Sequence, residues 1–240
     1  MEPGRAPDMA RQDVIKKGKE VQKMKRGALA TAVVAAGMLL AASGLPTIQA
    51  AAATPVIVAF GDSLTAGLGL PEKDSFPAQL ERALKARGQE VKVINAGVSG
   101  DTASAGLARL DWAMPDDASA VIIELGANDA LQGLDPAATK ATLEKIITEL
   151  KARGLPILLA GMEAPPNLGK EYVEQFRALY ADLAQRYDLI LYPFFLDGVA
   201  LDNKYTLGDG MHPNAEGVAR IVDGILPKVE ELLAKEKPRP

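Results

Sequence analysis

"VIVAFGDSLTAG", residues 56–67, is the stretch on which the reading of the fold turns. Val56 to Phe60 form an unbroken apolar run rich in β-branched side chains, the pattern of a strand buried on both faces. At Gly61 the composition changes to glycine, aspartate and serine, the chemistry of a turn and of a helix start. A doubly buried strand is a parallel-sheet feature, so its neighbours should alternate between helices and strands.

Downstream they do. "SFPAQLERALKARG" (75–88) spaces Phe76, Leu80 and Leu84 four apart and stops at Gly88, which predicts an amphipathic helix. "VKVIN" (91–95) predicts the next strand, and "DTASAGLARL" (101–110) a helix capped by Asp101 or Thr102. "AVIIELG" (120–126) is a third strand, followed by a helix over 135–154 with Asp135 as cap, Pro136 in its first turn and Gly154 as stop. "PILLAG" (156–161), a helix across roughly 170–186, "LILYPF" (189–194) and a last helix from about Asn214 to Lys235 complete the series. The fold class is therefore α/β, a parallel sheet joined by right-handed crossovers and covered on both faces. In such sheets the site lies beyond the carboxyl ends of the strands, which names the loops to search.

The body is read as one domain, 54–235, with a tail at 236–240; 48% hydrophobic residues in a chain of 240 suffice for a full core. Before it, residues 24–53 have the layout of a secretory signal peptide. Lys25 and Arg26 precede an uncharged apolar stretch from Gly27 to about Leu45, and small residues close it near Ala50–Ala53. A membrane anchor fits less well, because alanine and glycine make this stretch weakly hydrophobic and Pro46, Thr47 and Gln49 follow it. A lipoprotein-type anchor would need the cysteine that the chain lacks. Residues 1–23 are polar without an apolar period and are read as a disordered upstream extension, with Met24 the expected start. The expectation is a periplasmic or secreted protein with no stable membrane insertion once the leader is removed.

Residues 1–26 carry eight Lys/Arg against four acids, so the chain's net −4 becomes −8 from residue 27 onward. An acidic body without a basic stripe argues against a nucleic-acid partner. With no cysteine and one histidine, neither a disulfide nor a zinc site is expected, and no loop is spaced like a calcium loop.

The loops at the strand ends are "GDSLTAG" (61–67), "NAGVSGD" (95–101) and "GANDA" (126–130), and "GDGMH" (208–212) precedes the last helix. Each alone is ordinary turn and cap chemistry. Together they offer a nucleophile, a base, an orienter and oxyanion donors on one rim. Ser63 opens a helix, so its N–H points toward an oxyanion formed at its own Oγ. Its hydroxyl needs a base, and His212 is the only imidazole. Asp209, three residues before it, can fix the second ring nitrogen. Gly97 can bring a backbone N–H to the oxyanion without a Cβ in the way, and Asn128 can bring a side-chain N–H.

These four segments, in this order, resemble the SGNH hydrolases, the GDSL esterase/lipase family: "FGDSLTAG", "NAGVSGDT", "GANDAL" and "DGMHPN". The likeness covers roughly 55–235, and "GMEAPPNLG" (161–169) with the Pro-Phe region at 193–195 is similar to the bacterial periplasmic arylesterase, thioesterase I and lysophospholipase branch. The resemblance implies a three-layer α/β/α, flavodoxin-like sheet of five strands, a catalytic triad of Ser63, His212 and Asp209, and an oxyanion hole of the Ser63 and Gly97 N–H groups with the Asn128 amide. It implies no metal and no organic cofactor.

The reaction so implied is hydrolysis of a small acyl ester or thioester through an acyl-Ser63 intermediate, with activity lost as His212 protonates. Leu131, Leu134, Pro165 and Pro166 are candidate walls of an acyl groove, or else pack onto the sheet. A carbohydrate O-acetylesterase on the same fold and a non-catalytic periplasmic binding protein are the competing functions.

Overall fold

The computed structural model describes residues 53–235. The expected leader up to Ala52, the upstream extension and the tail at 236–240 lie outside the described residues.

The apolar runs become five parallel strands: β1 (Val56–Gly61), β2 (Lys92–Gly97), β3 (Ala120–Glu124), β4 (Ile157–Ala160) and β5 (Ile190–Tyr192). Their spatial order is β2-β1-β3-β4-β5. This is the flavodoxin-like winding, in which the chain reverses direction across the sheet between β1 and β3 and opens a crevice there. Every residue of β1, β3 and β4 is buried, as continuous apolar strands in a doubly covered sheet must be.

Helices fill the two outer layers. On one face α2 (Phe76–Ala86) packs against the C-terminal α8 (Ala215–Ala234). On the other, α6 (Pro136–Ala152) lies between α3 (Ala103–Ala108) and α7 (Lys170–Tyr187). Asp135 caps α6 as expected, accepting from the Ala137 N–H, and of the two expected residues Thr102 rather than Asp101 caps α3; Asn214 caps α8 by accepting from Gly217. Among the described residues, no helix is long and apolar enough to cross a membrane.

Three short helices sit between the larger elements: α1 (Ser63–Ala66), α4 (Leu110–Ala113) and α5 (Ala127–Leu131). Of these, the helix start at Ser63 was expected, whereas residues 126–130 read as a loop. Five residues are too few to show a helical period, so α5 leaves no pattern in the sequence.

Candidate active site

The site is built from the carboxyl ends of the strands. Register places Gly61 of β1 level with both Gly97 of β2 and Glu124 of β3, so the loops that follow all emerge at one height. Asp62 caps α1 through Oδ1, which accepts the Leu64 N–H at 2.9 Å, and Ser63 occupies the first helical position. At that position the Ser63 N–H has no intrahelical acceptor and faces outward.

His212 reaches Ser63 from the loop before α8. That loop is folded back on itself: Leu207 N–H donates to the His212 carbonyl at 2.7 Å, Thr206 bridges to Pro213, and Gly210 takes a left-handed φ of 69°. Asp209 Oδ1 accepts the N–H groups of Met211 and His212, and Oδ2 lies 2.6 Å from His212 Nδ1. Those backbone N–H groups and the imidazole pull the Asp209 carboxyl down to about 2. An ionised carboxylate only accepts, so Nδ1 carries the ring hydrogen and Nε2 is left as the acceptor. Ser63 Oγ stands 2.9 Å from Nε2 and donates to it. Ser63, His212 and Asp209 thus form one hydrogen-bonded line.

The two other expected donors are also brought to this rim, though both are already engaged. Gly97 N–H donates to Asn95 Oδ1 at 3.0 Å. A Cβ at Gly97 would collide with the N and Cα of Ala66 and the Asp62 carbonyl, so glycine here lets β2 press against α1. Asn128 lies in the first turn of α5, not at the end of β3, and its Nδ2 donates to both Asp62 Oδ2 (3.0 Å) and the Asp101 carbonyl (2.9 Å).

Beneath this rim lies a layer that the sequence reading did not single out. Buried Arg109 donates from Nε to Asp101 Oδ2 at 2.5 Å and from a terminal N–H to the Gly61 carbonyl at 2.9 Å, with its guanidinium 4.4 Å from the Phe60 ring centroid. It ties the end of β1 to the loop that holds Asn128. Asp62 and Glu124 are buried carboxyls close enough to act on each other's charge, and Glu124 Oε2 also faces the Asp62 N–H. A signal for Glu124 was present: a carboxylate inside an otherwise apolar run of a doubly covered strand is rare unless paired.

Leu131 and Leu134 are 55% and 39% exposed, so they do not pack onto the sheet, unlike the buried Ala130 beside them. Pro165 is half-buried and Pro166 exposed, at the start of a short 3₁₀ turn (Pro166–Leu168) beyond β4. Among the described residues, no group of three or more His, Cys, Asp or Glu side chains converges as metal ligands.

The pattern of the GDSL-like lipase/acylhydrolase family matches residues 59–220. The chain is 38% identical over 190 residues to Esterase TesA of Pseudomonas aeruginosa, an alignment that spans 79% of this chain and 94% of that protein. It is 36% identical over 190 residues to thioesterase 1/protease 1/lysophospholipase L1 of Escherichia coli K12, spanning 79% and 89% of the two. Among solved structures, AlinE4, an SGNH-hydrolase family esterase, superposes with a TM-score of 0.63 at 47% identity, covering 75% of this chain and 97% of AlinE4.

Proposed function

Because the chain belongs to the GDSL-like lipase/acylhydrolase family, we infer that it is a serine esterase that hydrolyses acyl esters and thioesters through an acyl enzyme on Ser63. The observation that carries the residue roles is the unbroken line from Ser63 Oγ through the imidazole to Asp209.

In this reading His212 Nε2 takes the Ser63 proton as Oγ attacks the acyl carbon, and Asp209 steadies the imidazolium that forms. The carbonyl oxygen becomes an oxyanion beside the Ser63 N–H. Gly97 N–H turns to it from Asn95 and one Asn128 amide hydrogen turns to it from the Asp101 carbonyl, each exchanging a neutral acceptor for a charged one, while the other Asn128 hydrogen stays on Asp62. The tetrahedral intermediate collapses, and the alcohol or thiol leaves with the proton from His212. Water deprotonated by His212 then attacks the acyl-Ser63 ester, and the acid is released. Exposed Leu131 and Leu134, together with Pro165 and Pro166, are the proposed walls for the acyl chain.

The domain assignment belongs to the same proposal: a hydrolase domain over 54–235 behind a leader at 24–53, exported to the periplasm or beyond. Its support is the leader's layout of Lys25 and Arg26, apolar stretch and small-residue end.

A fluorophosphonate probe with peptide mapping tests the nucleophile, together with hydrolysis of p-nitrophenyl esters and acyl-CoA by wild type and Ser63→Ala. Labelling on Ser63 and loss of turnover in the variant are expected. An unlabelled Ser63, or turnover that survives the substitution, overturns the reading.

A further inference from the structure

Behind the Ser63 hydroxyl, the steps above leave two carboxyl groups without a task. Asp62 and Glu124 are both fully buried. Asp62 Oδ2 accepts one Asn128 amide hydrogen at 3.0 Å while Oδ1 caps α1. Glu124 Oε2 accepts the Thr65 hydroxyl at 2.8 Å and faces the Asp62 N–H at 3.4 Å. Its Oε1 is buried without a hydrogen-bond partner among the described residues. Gly61 makes room for this arrangement, since a Cβ there would run into the Glu124 carboxyl and the Thr65 hydroxyl.

The groups facing the pair come from every element around it. Asp101 stands before α3 with Arg109 committed to it, His212 lies in the loop before α8, and the Tyr180 phenol is on α7, itself also close to Asp129 of α5. Arg109 is spent on Asp101 and the Gly61 carbonyl, so it does not neutralise the pair. Two adjacent carboxylates shut away from water do not both ionise. Asp62 has the better claim to the charge, because it accepts two N–H groups, Leu64 and Asn128, whereas Glu124 keeps an oxygen unserved.

We propose that Asp62 and Glu124 hold one proton between them at neutral pH, on Glu124, and that ionised Asp62 is a positioning residue that aims the Asn128 amide at the oxyanion. The kinetic part of this rests on the serine-hydrolase reading of Ser63. Ionised Asp62 can only accept, so it forces Asn128 to present nitrogen rather than oxygen to the rim. Neutral Glu124 ties the first turn of α1 to β3 without adding a second anion beneath the oxyanion. Burial pushes Asp62 up to about 6, and burial together with the charge of Asp62 holds Glu124 well above the ordinary carboxylate range. Acidification therefore neutralises the Asn128 anchor as well as protonating His212, and the acid limb of kcat/KM carries two protons.

Infrared spectra of the intact protein at pH 7 test the proton. Wild type should show the C=O stretch of a protonated carboxyl, and Glu124→Gln should lack it. Kinetics on a p-nitrophenyl ester test the positioning role. Asp62→Asn, in which asparagine still caps α1, should lower kcat by about tenfold or more with KM changed by less than about threefold, and should leave a one-proton acid limb. Should Asp62→Asn not fold, Asp62→Ser, another capping residue, carries the same readout. Absence of the band in wild type, its survival in Glu124→Gln, or wild-type kcat with a two-proton limb in the Asp62 variant overturns the proposal. If instead the band behaves as expected but no ester is turned over, the hydrolase reading fails and the shared proton stands.

Discussion

His212 Nε2 stands 2.9 Å from Ser63 Oγ although 149 residues separate them in the chain. No second imidazole exists to take over as base. His212→Ala and Ser63→Ala should each lower kcat by on the order of 10⁴- to 10⁶-fold, and the double variant should be no worse than either, because the two act as a unit. Single-turnover assays with a p-nitrophenyl ester measure this; additive losses would separate the two residues.

Asp209 holds the ring from the other side, and its carboxyl, drawn down to about 2, stays ionised across any working pH. Asp209→Asn can donate to Nδ1 and so favour the wrong tautomer. We expect kcat to fall by roughly 10²- to 10⁴-fold while the melting temperature moves little, since the carboxyl is exposed. A rate within tenfold of wild type would remove Asp209 from the mechanism.

Gly97→Ala places a methyl against Ala66 and the Asp62 carbonyl, and the neighbour on every side is backbone that cannot swing away. Displacing α1 should cost about 1–3 kcal/mol of stability. The same shift moves the Ser63 N–H and the Gly97 N–H apart, with an expected loss of about 10²- to 10³-fold in kcat. Urea denaturation and steady-state kinetics on the same preparation read both.

Glu124→Gln should raise the melting temperature at pH 8. Folded, Glu124 titrates well above its ordinary range; unfolded, it ionises near pH 4–5. Between those values the folded state binds one more proton than the unfolded chain, so wild-type stability declines as pH rises. Glutamine abolishes that dependence. The difference between variant and wild type should therefore be largest at pH 8 and close as pH falls to 4, which melts at several pH values follow directly; a constant difference would contradict the buried neutral acid.

Leu131→Ser and Leu134→Ser test the proposed acyl wall. Each removes about a kilocalorie per mole of contact with a long chain, or about fivefold in kcat/KM for long-chain esters, while p-nitrophenyl acetate is little affected. Equal loss on short and long esters would show that these leucines act on the catalytic line rather than on the chain.

Much of this architecture was legible before any coordinates. Val56–Phe60 and Ala120–Glu124 are apolar runs that only a doubly covered strand can bury, and Asp135, Pro136 and Asn214 mark helix starts by chemistry local to each. The candidate triad was also legible, because a serine at the start of a helix after the first strand and a single histidine with an aspartate three residues before it leave few pairings. Asn128 was read at a strand end instead of in the first turn of α5, a helix too short to carry a period. Asp62 and Glu124 went unnoticed because their meaning depends on each other, and they stand 62 positions apart in the chain.

Local order is what the amino-acid sequence determined by itself. Hydrophobic period, caps and turn residues act over a few positions, so they specify which segments are strands, where helices begin and which loops follow the strands. Only the tertiary structure decided which of those loops meet. The β2-β1-β3-β4-β5 winding sets Gly61, Gly97 and Glu124 at one height, presses α1 against β2 until no side chain fits at Gly97, and encloses two carboxyls beside the serine. Proton sharing and the engagement of Asn128 depend on distances of a few ångströms between elements remote in the chain, and on the exclusion of water there. Those properties arise from packing and are absent from any single stretch.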